Sequence, residues 1–216
     1  DWLRDKKVKN LIYSSSSEVY SQSYALNLIK IPTDENALIS FKSPIDDRMS
    51  YGLSKFFGEF LISSFLKDTK INGCIVRFHN IYGPRMGNKH VIPELIKRIE
   101  TSKINLKIYG GKQTRAFCYI DDAINFLYIL SKKKKNKFEI YHIGNSKAEI
   151  KILALVKKIL NLMNKKLKIK DYGEPPASVA RRCPNINRII KETNYKPKIN
   201  LNVGLLKTIE WYLNGK

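Results

Sequence analysis

The sequence predicts an α/β fold built on a mostly parallel sheet. Segments that are apolar throughout, as in strands buried on both faces, alternate along the chain with segments of helical periodicity. The chain has 216 residues, of which 43% are hydrophobic and 11% aromatic, so it can bury the core of one compact domain or of two closely merged ones. No internal repeat interrupts the alternation.

The first part of the chain contains two predicted strands and one long helix. The first strand is VKNLIYSS, at residues 8–15, which follows the end of a helix and precedes a polar loop. The second strand is GCIVRFHN, which ends at the Gly83-Pro84 turn. The helix between them runs from Met49 to Lys67, and we expect an apolar stripe on it to be buried, formed by Phe56, Phe57, Phe60, Leu61 and Phe65.

The second part continues the alternation of strands and helices. We expect a helix from Asp121 to Leu130, with Asp121 as its cap. The other predicted helices cover residues 91–100, 148–163, 186–194 and 201–215. The predicted strands cover residues 106–110, 115–120, 138–144 and 167–172.

The formal net charge of +21 raises the hypothesis of a nucleic-acid partner. The lysines are scattered among abundant Asn and Ile along the whole chain, and the single dense run, from Ser131 to Lys137, fits a solvated loop. We therefore expect no nucleic-acid partner, and keep a basic nucleic-acid-binding protein as the weaker alternative. A positive field still favours a small polyanionic ligand.

The cysteines and the apolar runs bear on metal binding and on membranes. Cys74, Cys118 and Cys183 are widely spaced and form no CxxC motif, so we expect reduced thiols and no metal site. No stretch reaches the length of about 18 apolar residues that a membrane span needs, and the first residues are too polar for a signal peptide. These features favour a cytoplasmic protein without a membrane segment.

The stretch SYGLSKFFGEF places Tyr51 four residues before Lys55, on one face of the predicted helix, where an ammonium favours the phenolate form of tyrosine. Chance alone gives roughly two such pairs in a chain of this composition, and residues 128/132 and 212/216 share the spacing. Only the first pair follows a strand that ends in serines, within LIYSSSSEVY. Tyr51 is therefore the candidate proton carrier.

The chain resembles the extended short-chain dehydrogenase/reductase family, the NAD-dependent epimerases and dehydratases of nucleotide sugars. The resemblance rests on motifs in family order, which are SSSSEVY, SYGLSKFFGE, VRFHNIYGPRMG, VIPELIKRI, IYGGKQTRAFCYIDDAI, YHIGN, RRCPNINRI and YKPKINLNVGLLKTIEWY. It implies the C-terminal part of a Rossmann-like doubly wound parallel sheet merged with a small α/β substrate-binding domain. Residues 1–80 would be the second half of the NAD-binding domain, and residues 81–216 mainly the substrate-binding part, with some segments returning to the sheet.

The resemblance also implies the site. Tyr51 would take a proton from the sugar 4-hydroxyl while a hydride passes to NAD, Ser16 would hydrogen-bond that hydroxyl, and Lys55 would favour the phenolate and hold the nicotinamide ribose. The implied catalytic residues are Ser16, Glu18, Tyr51 and Lys55. The implied cofactor-binding residues are Ser14, Tyr51, Lys55, Phe78 and His79. The implied substrate-binding residues are Ser17, Asn80, Tyr109, Arg115 and Arg182, with Arg115 on the diphosphate.

Ser17 and Glu18 bear on the reaction that follows oxidation. The resembled 4,6-dehydratases carry Asp-Glu at these positions, so the acid needed for dehydration is absent here. The motifs are closer to UDP-glucuronate decarboxylases and UDP-glucose 4-epimerases, which implies a 4-keto intermediate in an epimerase or decarboxylase that serves polysaccharide precursors. A catalytically inactive fragment or a sugar-nucleotide binding module stays open as the alternative.

Three departures from the family pattern lead to further expectations. The family begins with a glycine-rich turn for the NAD pyrophosphate, whereas the first glycine here is Gly52, so we expect an N-terminally truncated chain that is homodimeric when full length. The predicted strand at residues 8–15 would then lack a sheet neighbour. The long stretch between Ser16 and Tyr51 would form a lid or a partner contact, and Asn185 stands where the family has Asp.

Overall fold

The computed structural model describes residues 6–42, 47–133, 138–175 and 178–215 and has a mixed α/β fold. Its strands are β1 (Asn10–Ser16), β2 (Asn72–Phe78), β3 (Ile81–Tyr82), β4 (Asn105–Ile108), β5 (Thr114–Ala116), β6 (Cys118–Tyr119), β7 (Glu139–Ile143), β8 (Glu149–Lys151), β9 (Lys168–Asp171) and β10 (Arg181–Arg182). Its α-helices are α1 (Ser21–Ala25), α2 (Asp47–Lys67), α3 (Val91–Thr101), α4 (Ile120–Lys132), α5 (Ile152–Leu162), α6 (Asn187–Thr193) and α7 (Leu201–Asn214). Short 3-10 helices cover Ser17–Tyr20 and Ser146–Ala148.

The principal sheet is parallel, with the strand order β1-β2-β7. Its register pairs Ser16 with Phe78 and Phe78 with Ile143, so the carboxyl ends of all three strands meet at one edge. Strand β1 pairs with β2 along its whole length, and no strand of the described residues pairs with its other side. Within the described residues the first strand therefore has β2 as its neighbour on one side and lacks a sheet neighbour on the other.

Helices cover both faces of this sheet. Successive side chains of a strand point to opposite faces, and in β2 Val76 packs with α4 and α6 whereas Arg77 contacts α2. The cluster on the α4 and α6 side contains Val76, Ala123, Phe126, Leu130, Tyr141, Ile143, Ile186 and Ile189. The covering of both faces agrees with the doubly wound architecture that the sequence predicts.

A second core lies between the smaller sheets and the helices α3, α5 and α7. The smaller sheets are β10-β5-β8, β3-β6 and β4-β9. Their apolar side chains form one cluster, whose fully buried members include Ile92, Ile99, Leu155, Val156, Ile159 and Leu205. The smaller sheets with α3, α5 and α7 are called the second lobe below. Burying each such side chain stabilises the fold by about 1.5–3 kcal/mol, so the cluster can hold this lobe together without a continuous sheet.

Most predicted elements are confirmed, and three expectations are wrong. Phe57, Phe60 and Leu61 are 58%, 61% and 50% exposed. The side of α2 that packs against the protein instead contains Met49 and Glu59. Asp121 does not cap α4, since Tyr119 occupies the cap position and makes no side-chain hydrogen bond there. The helix expected from residue 148 begins at Ile152, because residues 149–151 pair with β5 instead.

In the stretch between Ser16 and Tyr51, expected as a lid or a partner contact, residues 26–42 form a packed loop, and residues 43–46 lie outside the described residues. Its Ile29, Ile31 and Ile39 pack against a cluster of Val19, Tyr20, Tyr24 and Val179. Its backbone is also tied to the chain after β10, since Thr33 N donates to Cys183 O at 2.9 Å and Asn185 N donates to Thr33 O at 2.8 Å. The Asn185 Oδ1 accepts from Asn187 N, the first residue of α6, at 3.0 Å, while Ile186 occupies the cap position of this helix.

The described residues contain neither a membrane-spanning helix nor a metal-binding cluster of side chains. None of the helices there is both long enough and apolar enough to cross a membrane. The same ranges contain no group of three or more His, Cys, Asp or Glu side chains arranged to hold a metal ion.

One buried histidine makes the stability of the fold depend on pH. The His142 ring is fully buried, with Nε2 3.0 Å from the Tyr20 hydroxyl, and burial together with the charge of Arg77 lowers its pKa to about 3. In the unfolded chain an imidazole titrates near pH ~6.5. Between these values the unfolded state binds a proton that the native state does not bind, so the free energy of unfolding falls as the pH falls.

We expect the His142→Gln variant to flatten this dependence. Without this histidine, the unfolded state no longer binds one proton more than the native state. The slope of unfolding free energy against pH should therefore fall by up to about 1.4 kcal/mol per pH unit between pH ~6 and ~4. Urea unfolding at several pH values measures the slope. His90→Gln, at an exposed histidine, is the matched control and should change it less. An unchanged slope in the His142 variant would contradict the assignment.

Candidate active site

A cleft of about 700 Å³ opens at the carboxyl edge of the principal sheet. Open α/β sheets bind their ligands at this edge. One side of the cleft comes from the ends of β1 and β2 and from α2, and the other side comes from the second lobe. The lining residues are Ser16, Ser17, Glu18, Tyr51, Phe78, Asn80, Ile81, Met86, His90, Val91, Phe117 and Ile120.

Ser16 ends β1 and caps the 3-10 helix that follows. Its backbone is extended, and its Oγ accepts a hydrogen bond from Glu18 N at 3.2 Å. A serine hydroxyl has one proton to donate, and the cap uses only its acceptor capacity. Ser16 can therefore donate to a ligand oxygen in the cleft while it fixes the turn that carries Glu18.

Tyr51 and Lys55 lie in the first half of α2, on the side of the cleft. Tyr51 is 52% exposed, and the Lys55 Nζ lies 5.8 Å from the centre of its ring. The same Nζ donates to the Ser14 carbonyl oxygen at 3.0 Å, which anchors the lysine to β1. The arrangement places a fixed cation beside a phenol that is open to a ligand.

Gly52 allows α2 to approach the chain after β1. A Cβ at this position would stand 2.5 Å from the Glu18 carbonyl oxygen, which is backbone and cannot move aside cheaply. The absence of a side chain therefore sets how closely Tyr51 lies to Ser16 and Glu18.

Two arginines stand next to one another behind the cleft. Arg115 on β5 and Arg182 on β10 are register partners of a parallel pair. Arg182 pairs with the Glu18 carboxylate through both of its terminal nitrogens. Burial, and then the charge of Arg182, lowers the pKa of Arg115 to about 10. Glu18 and Arg182 were expected in separate catalytic and substrate-binding roles, and here they contact each other directly.

Six expected site residues are absent from the lining of the cleft, namely Ser14, Lys55, Arg115 and Arg182, which are described above, and His79 and Tyr109. His79 is fully buried with its ring 4.4 Å from that of His142, and burial lowers its pKa well below the ordinary value. Tyr109 follows β4, is 55% exposed, and has its ring 5.8 Å from that of Tyr172. The cleft as it stands thus brings together Ser16, Ser17, Glu18, Tyr51, Phe78 and Asn80 from the expected set.

The wall that the second lobe contributes was not predicted from the sequence. Met86 and His90 lie in the segment between the Gly83-Pro84 turn and α3, Val91 is the first residue of α3, and Phe117 lies between β5 and β6. The turn itself was a signal that this segment folds back toward the end of β2. Nothing in the sequence indicated which of its side chains face the cleft.

The chain is similar to known proteins of one family. The family model for the NAD dependent epimerase/dehydratase family matches residues 1–144. The chain is 31% identical over 216 residues to the dTDP-D-glucose 4,6-dehydratase of Bos taurus, with 96% of this chain and 57% of that protein covered. It is also 31% identical to the UDP-N-acetyl-alpha-D-glucosaminuronate decarboxylase of Bacillus cytotoxicus, with 96% and 64% covered.

A solved structure with a similar fold is the UDP-glucuronic acid 4-epimerase from Bacillus cereus in complex with UDP-glucuronic acid and NAD. The TM-score is 0.80 at 28% identity, and the match covers 96% of this chain and 62% of that one. The chain thus spans less than two thirds of the length of each of these relatives.

We expect Gly52→Ala to push α2 away from the turn after β1. Overpacking of this kind costs about 1–3 kcal/mol, which chemical denaturation measures as a loss of unfolding free energy. Gly87→Ala is the matched control, because an added methyl there meets its nearest neighbour, a His90 ring atom, at 3.5 Å. Equal stability of the two variants would contradict the close approach at Gly52.

Proposed function

This chain belongs to the NAD dependent epimerase/dehydratase family, and from that premise we propose that it oxidises a nucleotide-linked sugar at C4 to a 4-keto intermediate, in an epimerase or a decarboxylase. One observation carries the proposal: Ser16, Glu18 and Tyr51 line a single cleft, with the Lys55 cation fixed beside Tyr51. The names of the similar proteins support a nucleotide sugar as the partner, since they are enzymes or complexes of such compounds.

The residues at the edge of the sheet fit the nicotinamide end of NAD. Ser14 is exposed at the end of β1, the Lys55 ammonium lies next to it, and Phe78 offers an apolar wall. When bound there, NAD supplies the acceptor for the hydride from C4. In this proposal residues 1–80 belong to the NAD-binding domain, and residues 81–216 mainly to the substrate-binding part.

The chain's own side chains would handle the proton. The Tyr51 phenolate takes the proton of the sugar 4-hydroxyl, and Ser16 donates a hydrogen bond to the same oxygen, which fixes its position. The Lys55 ammonium, 5.8 Å from the centre of the Tyr51 ring, places a positive charge beside this side chain. Such general base catalysis contributes typically ~10²–10⁴-fold to a rate.

Arg115 is suited to the diphosphate. Its guanidinium donates to Thr114 O at 2.8 Å and to Gln113 Oε1 at 2.9 Å, and it forms no ion pair with a carboxylate within the described part of the chain. A half-buried guanidinium without an anionic partner gains from charge-assisted hydrogen bonds to a phosphate. The lowered pKa of Arg115 is consistent with a site that an anion would stabilise.

The ion pair of Glu18 with Arg182 favours a substrate that carries a carboxylate. Glu18 lines the cleft, and the Arg182 side chain behind it is mostly buried. A carboxylate at C6 of the sugar could compete with Glu18 for this guanidinium through two hydrogen bonds, which a neutral hydroxymethyl group cannot do. The names of two similar proteins contain uronates. We therefore take a nucleotide-linked uronate as the substrate class.

We expect Tyr51→Phe to lower kcat by at least ~100-fold with a KM close to that of the unsubstituted protein, because the variant keeps the ring and loses the base. Turnover of nucleotide sugars in the presence of NAD measures the effect. Tyr128→Phe is the matched control, since Tyr128 has the same spacing to a lysine but lies on α4 and is exposed. Full turnover by the Tyr51 variant would refute the proposal, and binding without turnover by the unsubstituted protein would favour a binding module.

We expect Arg182→Met to remove discrimination between a uronate and a neutral sugar. Replacing the guanidinium should raise the KM for UDP-glucuronate about tenfold or more, and change the KM for UDP-glucose by a smaller factor. The ratio of kcat/KM for the two compounds is the measurement. Arg181→Met is the matched control, because Arg181 pairs with Glu149 at an exposed position. A ratio that is unchanged in the Arg182 variant would contradict the uronate assignment.

A further inference from the structure

Glu59 of α2 and Arg77 of β2 form a buried ion pair underneath the candidate active site. Their side chains meet through two hydrogen bonds, Arg77 Nε to Glu59 Oε1 at 2.8 Å and Arg77 Nη2 to Glu59 Oε2 at 2.5 Å. The two residues are 4% and 2% exposed. Each stands in a segment that is otherwise largely apolar, so the pair is not part of a solvated surface.

Glu59 connects α2 to the end of β1. It lies one turn after Lys55 and about two turns after Tyr51 on the same helix. Its Oε1 also accepts from Ser15 Oγ at 2.5 Å. Ser15 stands between Ser14, whose carbonyl oxygen holds the Lys55 ammonium, and Ser16, which lines the cleft.

Arg77 connects the same carboxylate to two further segments. Its Nη1 donates to the Tyr20 hydroxyl, and Tyr20 is the last residue of the 3-10 helix that carries Glu18. The same nitrogen donates to the Glu35 carbonyl oxygen in the packed loop at 2.9 Å. The residue after Arg77 is Phe78, which lines the cleft. Every segment on the sheet side of the cleft therefore contacts this pair or an adjacent residue.

Stability alone does not explain such a pair. The desolvation of two buried charges offsets most of their attraction, and well-packed apolar residues of similar volume are often as stable. What apolar residues cannot supply is the set of directional hydrogen bonds that fixes Ser15, Tyr20 and α2 relative to one another.

We propose that Glu59 and Arg77 are positioning residues for the reaction. They hold α2, with Tyr51 and Lys55, at a fixed position relative to Ser16 of β1. The inference rests on the proposed function. Neither side chain reaches the cleft, so both act through the elements that they join. A misplacement of about 1 Å between reacting groups can cost ~100-fold in rate, which sets the size of the expected effect.

The double variant Glu59→Leu with Arg77→Met separates positioning from stability. We expect it to unfold at a denaturant midpoint close to that of the unsubstituted protein, with kcat lower by about 100-fold and KM changed by no more than about threefold. A double variant with unchanged midpoint and unchanged kcat would overturn the proposal.

A second variant decides the question if the double variant does not fold. Glu59→Gln keeps the shape of the side chain and removes its charge, and Ile159→Ala in α5 destabilises the second lobe as a matched control. Amide hydrogen exchange of residues 49–56 should speed up in Glu59→Gln and stay unchanged in Ile159→Ala, because only the first loosens the start of α2. Equal exchange of this segment in both variants would contradict the proposal.

The exchange measurement also separates the two hypotheses. If the unsubstituted protein turns over no nucleotide sugar, the proposed function fails while the exchange result still reports whether the ion pair holds α2 in place. If turnover is normal but the exchange of α2 is insensitive to Glu59, the positioning role fails and the proposed function stands.

Discussion

The buried ion pair between Glu59 and Arg77 is the contact on which the geometry of the cleft depends. It joins the helix that carries Tyr51 and Lys55 to the strand that ends in Phe78, and it reaches β1 through Ser15. An unpaired charge at this depth is costly, so neither residue tolerates the loss of the other. This mutual requirement constrains α2 to one position on the sheet.

The rest of the site follows from that position and from the parallel sheet. Parallel pairing brings the ends of β1 and β2 to one edge, where Ser16 and Phe78 are register partners. Gly52 then allows the first turns of α2 to contact the backbone at Glu18, which brings Tyr51 to the same edge. The second lobe, with its own apolar core, closes the cleft from the other side.

The sequence predicted the elements well because their periodicity is strong and local. Helix α2, strand β2 and the Tyr51–Lys55 spacing are all visible in short windows. Contacts that depend on three-dimensional packing were harder to predict. The helical spacing of Phe57 and Phe60 predicted a buried stripe, but both side chains are exposed. The contact between Glu18 and Arg182 joins residues that are far apart in the chain.

Some of the missed features had a signal that could have been used. Arg77 interrupts an otherwise apolar strand, and Glu59 interrupts a helix rich in Phe, so each needed a partner of opposite charge. The hydrogen bond from Asn187 N to Asn185 and the packing of the loop before α2 had no comparable signal, because both depend on where β10 ends.

The most direct test of the account follows the hydrogen at C4 of the sugar. A nucleotide-linked uronate deuterated at C4 would be incubated with the protein and NAD, the reaction quenched rapidly, and the reduced cofactor analysed by mass spectrometry. The account predicts that deuterium appears in the reduced cofactor. Turnover of the sugar without any deuterium in the cofactor would contradict oxidation at C4, and with it the roles given to Tyr51, Lys55 and Ser16.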